Sequence, residues 1–268
     1  MKKVLIALAA VASVFALVGC KKVEKQSGDA VAALQERGVF VLGLDDSFPP
    51  MGFRNDDNEI VGYDIDLGRE VAKRLGVDFR AQPRDWSAKE MELETGKIDC
   101  IWNGFSINEE RKQALSFTEP YLDNAQVLVV RKADKITSLA DMAGKIIGIQ
   151  SGSSAQDALE SEPEFANSLK EIVKYKENIT ALNDLDIGGV DGVVMDSVVA
   201  SYAISQSKKP FELMPEVLAT ESYGIAFRKS EPDLRDAAYA ALQEMAADGT
   251  IEAISNKWFG KNISVIKY

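Results

Sequence analysis

Apolar and polar positions along this chain alternate between two patterns: short unbroken apolar runs, and longer stretches with apolar residues three and four apart. The first pattern is that of strands buried on both faces, the second that of helices with one buried stripe. Residues 39–44 form the first apolar run, and Asp45, Asp46, Ser47, Phe48, Pro49 and Pro50 make the loop at its carboxyl end. Ile65, Gly68, Val71 or Ala72, and Leu75 then mark a helix, with Asp64 as its expected cap and Gly76 as its stop. Residues 77–81 predict a strand, Asp85 and Trp86 a loop, and Ser87-Ala88-Lys89-Glu90 the capping box of a helix closed by Gly96. Ile98-Asp99-Cys100-Ile101-Trp102 reads as a buried parallel strand. It opens on Asn103-Gly104-Phe105-Ser106, after which Asn108 caps a helix with Glu109 and Glu110 in its first turn.

The alternation continues. Residues 125–130 predict a strand leaving a first lobe, 138–143 a short helix, and 145–149 a strand running into Gln150-Ser151-Gly152-Ser153-Ser154. That turn is expected to feed a helix of about ten residues. Residues 172–175 predict a strand, Asn178 caps a helix ending at Gly188, and Asp196 caps the next. Residues 223–227 predict a strand returning to the first lobe, and 234–247 and 251–258 two closing helices. One unit repeats within this order. Leu93, Gly96, Ile98, Asp99 and Ile101 match Leu185, Gly188, Val190, Asp191 and Val193. A duplicated helix–glycine–strand unit implies two similar α/β lobes, and 268 residues leave room for both.

Ligands of α/β sheets sit at the carboxyl ends of the strands. The first repeat ends at Asn103-Gly104 and leads to Ser106 and Arg111; the second ends at Met195-Asp196. Gly104 permits close backbone approach, Ser106 offers a hydroxyl and an N–H, and Arg111 offers a two-pronged donor to a carboxylate. The amides of the 151–154 turn form an anion cradle, and no lysine follows as in a phosphate-binding loop. A cation presented by one lobe and an anion by the other suit a zwitterion, which points to an amino acid. Each residue also has an ordinary reading: Arg111 on a solvated helix, Asp196 as a helix cap, Phe48 and Trp86 as core aromatics.

Composition narrows the partners. A net charge of −11 argues against nucleic acid and anionic headgroups. Histidine is absent and the only cysteines are Cys20 and Cys100, so a thiolate or imidazole metal site is not expected, nor is any cofactor. Met1-Lys2-Lys3 and the apolar stretch 4–18 form a secretory leader, too short to span a bilayer comfortably. It ends in Leu17-Val18-Gly19-Cys20, which resembles the lipobox of bacterial lipoproteins. That resemblance implies a signal peptide over 1–19, lipid on Cys20 that suffices for stable anchoring, and a polar tether over 20–29. The protein is then expected outside the cytoplasm, anchored to the cell membrane.

Five further segments, in order, carry a wider resemblance: Gly62-Tyr63-Asp64-Ile65-Asp66-Leu67, Ser106-Ile107-Asn108-Glu109-Glu110-Arg111, residues 191–196, Tyr223-Gly224-Ile225-Ala226-Phe227, and Lys257-Trp258-Phe259-Gly260. With them the chain resembles the extracytoplasmic amino-acid-binding proteins of ABC transporters, solute-binding protein family 3, and most nearly their polar amino acid group. The resemblance implies an α/β, two-lobed periplasmic-binding-protein fold (type II), its lobes joined by two hinge strands near 121–125 and 219–223. Lobe 1 is then discontinuous, 30–122 and 222–268, with lobe 2 over 123–221. Arg111 would grip the ligand α-carboxylate with amides at Ser106 and Ser154, while Asp196 and the Gly104 carbonyl take the ammonium. Phe48 and Trp86 would sandwich the side chain, and Asp45, Gln150 and Met195 would line its far end. Asn103 and Ser153 complete the implied set. Asn108 replaces the family's usual threonine and Phe105 a smaller aliphatic, which bears on pocket size. A monomer delivering a polar amino acid such as glutamine, or else arginine or lysine, to an ABC permease is expected, because no second cation is evident for an acidic side chain. An enzyme is not expected. The alternative is a cyclohexadienyl-dehydratase-like enzyme on the same fold, with Glu221 as its candidate acid.

Overall fold

A computed structural model describes residues 29–268. The expected signal peptide, Cys20 and the tether as far as residue 28 lie outside the described residues. From Asp29 the chain runs through α1 (Ala30–Arg37), β1 (Val39–Leu44), β2 (Ser47–Phe48), β3 (Gly52–Arg54), β4 (Ile60–Val61), α2 (Tyr63–Arg74) and β5 (Asp78–Pro83). Next come α3 (Lys89–Glu94), β6 (Cys100–Ile101), α4 (Glu109–Ala114) and β7 (Leu115–Phe117). A second group follows: β8 (Leu122–Arg131), β9 (Ile146–Gln150), α5 (Ala155–Ser161), α6 (Pro163–Ser168), β10 (Glu171–Tyr175), α7 (Asn178–Ile187), β11 (Gly192–Asp196), α8 (Ser197–Ser207) and β12 (Phe211–Tyr223). The chain closes with β13 (Ala226–Arg228), α9 (Pro232–Ala247) and α10 (Thr250–Phe259).

Two five-stranded sheets result, in the orders β5-β1-β6-β13-β7 and β10-β9-β11-β8-β12. In each, the second strand pairs in parallel with both neighbours, and the fourth strand joins the third antiparallel. The matched segments of the sequence repeat supply β6 and β11, which hold the same place in the two sheets. The two-lobed α/β fold expected from the sequence is the fold that forms. The chain passes between sheets twice, from β7 to β8 and from β12 to β13. Its crossing strands pair antiparallel, Leu122 with Tyr223, Asn124 with Glu221 and Ala125 with Thr220. One apolar cluster runs from Phe40 and Leu42 through Tyr121, Leu122 and Tyr223 to Val129 and Val193, so the lobes share a core at the crossing.

Several local expectations give way to longer-range contacts. Gly62, not Asp64, holds the cap position of α2; the buried Asp64 carboxylate instead accepts the Gly104 N–H at 2.8 Å and the Tyr121 hydroxyl at 3.0 Å. Ser87 does not cap α3: a short 3₁₀ turn precedes it, with the Asp85 carboxylate accepting the Ser87 N–H. Glu177 stands at the cap position of α7, and the Asn178 amide reaches Gln150 Oε1 at 3.0 Å. The helix after the serine-rich turn is seven residues long, because Pro163 forces Glu162 out of helical geometry and starts a new helix. The returning strand breaks at Gly224 and Ile225, whose N–H groups go to the Phe105 carbonyl and the Thr118 hydroxyl. Neither α1 nor the small β2-β3-β4 sheet is evident in the pattern. The first-turn amides of α1 are capped by Asp233, two hundred residues on.

Gly62 has φ +147°, and a Cβ there would stand 2.2 Å from the Met51 carbonyl oxygen. Backbone strain and overpacking together should make Gly62→Ala cost about 3 kcal/mol or more in chemical unfolding. A loss below about 1 kcal/mol would show that the 50–52 turn moves aside freely.

Candidate functional site

The carboxyl ends of β1, β6, β9 and β11 meet where the sheets face each other. Of the eleven residues singled out as ligand-binding, nine line one narrow space of about 10 Å³, together with Phe105. The other two, Asp45 and Asn103, stand behind it. Asn103 Oδ1 accepts the Asp45 N–H at 3.1 Å, joining the ends of β1 and β6. Asp45 in turn accepts a 2.6 Å bond from Gln150 Nε2 across the cleft. Met195, expected at the far end, is packed in the core instead, because it points to the opposite side of β11 from Asp196.

Helix α4 positions the cation. Asn108 caps it through the Arg111 N–H at 2.7 Å, and its amide reaches Asp157 of α5 in the facing lobe at 2.8 Å. Arg111 donates to the Ser106 carbonyl at 2.8 Å and lies over the Phe105 ring, 4.5 Å from its centroid. Burial lowers the Arg111 pKa, opposed by the charges of Asp157, Glu90, Glu221 and Asp196. Phe105 stacks edge-on against Trp86, so the large residue at this position also fixes one cleft wall. Gly104 has φ +57° and lies so close to the Phe48 and Tyr223 rings that a Cβ would stand 3.0 Å from each.

Asp196 occupies the cap position of α8 but makes no capping bond. Its Oδ1 accepts from Asn124 at 2.6 Å, Tyr223 at 2.7 Å and Gln126 at 3.0 Å. Burial first, then the charge of Glu221, pushes its pKa up to about 7. Ser154 donates to Ser106 across the lobes at 3.1 Å, and Ser153 bonds back to the Gln150 carbonyl. Asn124, Gln126 and Tyr223 were missed in the sequence. Polar residues at alternate positions of an otherwise apolar strand were the available signal for the first two.

Lys89 was missed as well, and it corrects the expectation of no second cation. The buried Nζ donates to the Trp86 and Gly152 carbonyls and lies 4.8 Å and 5.3 Å from the Trp86 and Phe105 ring centroids. Burial, then Arg111, lowers its pKa to about 8. A larger groove of about 900 Å³ flanks the crossing strands. Its Lys229 and Arg235 already donate to backbone carbonyls, Ser116 and Asp236, so the oriented polar groups belong to the smaller space. Among the described residues no cluster of three or more metal-ligating side chains occurs, and no helix is long and apolar enough to cross a membrane.

Two α/β lobes of one strand order, bridged by a strand pair and closed over a polar cleft, define a periplasmic-binding-protein fold. The chain belongs to the bacterial extracellular solute-binding proteins, family 3, whose profile matches residues 40–261. It is similar to the L-cystine-binding protein TcyJ of Escherichia coli (strain K12), 28% identical over 233 residues that cover 86% of each chain. It is also similar to the ABC transporter glutamine-binding protein GlnH of Bacillus subtilis (strain 168), 31% identical over 236 residues, 86% of this chain and 84% of the relative. A solved structure of an ABC uptake transporter substrate binding protein from Streptococcus pneumoniae with bound histidine superposes with a TM-score of 0.86 at 36% identity. It covers 89% of this chain and 99% of that one.

Burial raises Asp64 to about 7 as well. Both carboxyls therefore hold protons in the folded state that the unfolded chain releases near pH 4. Stability should fall as pH rises from about 4 to about 7. Lys89 titrates above this window, and Asp248, lowered to about 2, below it. The ligand-free protein should melt several degrees lower at pH 7.5 than at pH 5 by calorimetry. An equal or higher melting point at pH 7.5 would contradict the burial of these two carboxyls.

Proposed function

We propose that the protein is an extracytoplasmic receptor that traps a free amino acid between its lobes and delivers it to an ABC permease. The observation that carries this reading is the pairing, in one narrow space, of Arg111 from lobe one with Asp196 from lobe two. The α-carboxylate would take the Arg111 guanidinium and the Ser106 and Ser154 amides, and the ammonium would take Asp196 and the Gly104 carbonyl. Phe48 and Trp86 would hold the side chain, with Gln150 at its end and Asp45 behind. Cystine, glutamine and histidine, the ligands of the three relatives, differ in side chain and share only this head group. Glutamine remains the favoured ligand. Lys89 behind Trp86 disfavours arginine and lysine side chains there, by like-charge repulsion.

The receptor is proposed to do no chemistry. Glu221, the acid a cyclohexadienyl-dehydratase-like enzyme would need, accepts bonds from Ser106, Asn124 and Gln126 through one oxygen. That arrangement serves an acceptor. Turnover of prephenate by the purified protein would reverse this assignment.

Arg111→Ala and Asp196→Ala should each weaken amino-acid binding by about 3–5 kcal/mol, about two to three and a half decades in Kd, since either change strands a desolvated ligand charge. Titration calorimetry after a thermal-shift screen of L- and D-amino acids measures this, and binding within threefold of the parent for either variant would refute the site. Anchoring through Cys20 is proposed to be independent of the cleft. Cys20→Ser should therefore release the protein from membranes with ligand affinity unchanged, and persistence after a salt wash would exclude the lipid anchor.

A further inference from the structure

On the reading that the cleft holds an amino-acid zwitterion, we infer that Glu221 is a second carboxylate of the ammonium pocket. With Asp196 it makes capture of an ammonium an exchange against a proton. The geometry is a shared set of donors. Asn124 Nδ2 lies 2.6 Å from Asp196 Oδ1 and 3.1 Å from Glu221 Oε2. Gln126 Nε2 lies 3.0 Å and 3.1 Å from the same two oxygens, and 3.2 Å from Ser154 Oγ. Tyr223 completes the set on Asp196 and Ser106 on Glu221, each at 2.7 Å. Every one of these donors is neutral. Two carboxylates drawn together on neutral donors, one of them fully desolvated, carry one negative charge more than the pocket can hold comfortably.

A proton relieves that excess when no ligand is bound; burial first, and then the charge of Glu221, hold the Asp196 carboxyl pKa up at about 7. A ligand ammonium brings the same charge to the same place. On binding, the Asp196 O–H bond breaks, its proton passes to solvent, and the carboxylate accepts an ammonium N–H. The pair exists independently of lobe closure. Asp196 ends β11, Asn124 and Gln126 lie on β8 and Glu221 and Tyr223 on β12, three adjacent strands of one sheet. Ser106 reaches the pair from the other sheet's side of the cleft. Arg111 of α4 is in electrostatic reach of both carboxylates, and Asp157 of α5 and Glu90 and Lys89 of α3 are in reach of Arg111. Lys89 loses its proton only toward pH 8, above the range in which the pair exchanges.

Two measurements on the intact protein test this. In the ligand-free state, ¹³C NMR of the aspartate carboxyls, with Asp196 assigned from Asp196→Asn, should show a midpoint near 7 that falls by a unit or more in Glu221→Gln. A midpoint in the ordinary aspartate range in the parent overturns the inference whatever the ligand. Calorimetry with L-glutamine, L-arginine and L-histidine at pH 6.5, in buffers of high and low ionisation enthalpy, should then report release of about half a proton or more per binding event. Affinity should rise by up to about tenfold per pH unit between 5.5 and 7, a slope largely lost in Glu221→Gln. Binding without proton release sinks this inference alone, and needs only the parent protein. Failure of all three amino acids to bind sinks the zwitterion reading beneath it.

Discussion

A carboxylate and a guanidinium taken out of water need partners of opposite charge, and the interior of this cleft is arranged around that need. Asp196 is held by neutral donors that lessen the cost of its charge without cancelling it. Arg111 is likewise held by a carbonyl and an aromatic face, with its carboxylates at one remove. When both groups are ionised, the two ends of the cleft carry opposite charges that these partners leave unbalanced. The proposed zwitterion would balance both at once.

The crossing strands make the arrangement possible. Pairing β8 with β12 places Asn124 beside Glu221, and pairing β8 with β11 places Gln126 beside Asp196, so the anionic end is built by sheet register. The same crossing brings Tyr121 and Tyr223 together, with ring centroids 6.3 Å apart. Tyr121 binds Asp64, which holds Gly104, and Tyr223 binds Asp196. Two buried polar links, one from the Gly104 loop to Tyr121 and one from Tyr223 to Asp196, are therefore joined by a ring contact at the place where the lobes meet. Contacts across the cleft, Gln150 to Asp45, Ser154 to Ser106 and Lys89 to Gly152, close the outer side.

The apolar runs and the repeated helix–glycine–strand unit made the two-lobed fold legible, because buried parallel strands and glycine stops leave local signatures. Asn108 was legible for the same reason: a cap acts on its own helix. The cap assignments at Asp64, Ser87, Asn178 and Asp196 failed, and there a distant or neighbouring group won the side chain. The candidate set was found largely through strand ends and family likeness. Sheet register hid the rest, since nothing near Glu221 in the sequence reveals that Asn124 lies opposite it. Lys89 was read as part of a helix start, and its burial against Trp86 and Gly152 depends on the facing lobe.

The central claim is that the two charges meet on one amino acid. A crystal structure of the protein grown with the amino acid that stabilises it most tests this directly. The account predicts the ligand carboxylate within about 3 Å of Arg111 and its ammonium within about 3 Å of Asp196, with the lobes closed over both. An amino acid bound with its carboxylate away from Arg111, or outside the cleft altogether, would contradict it.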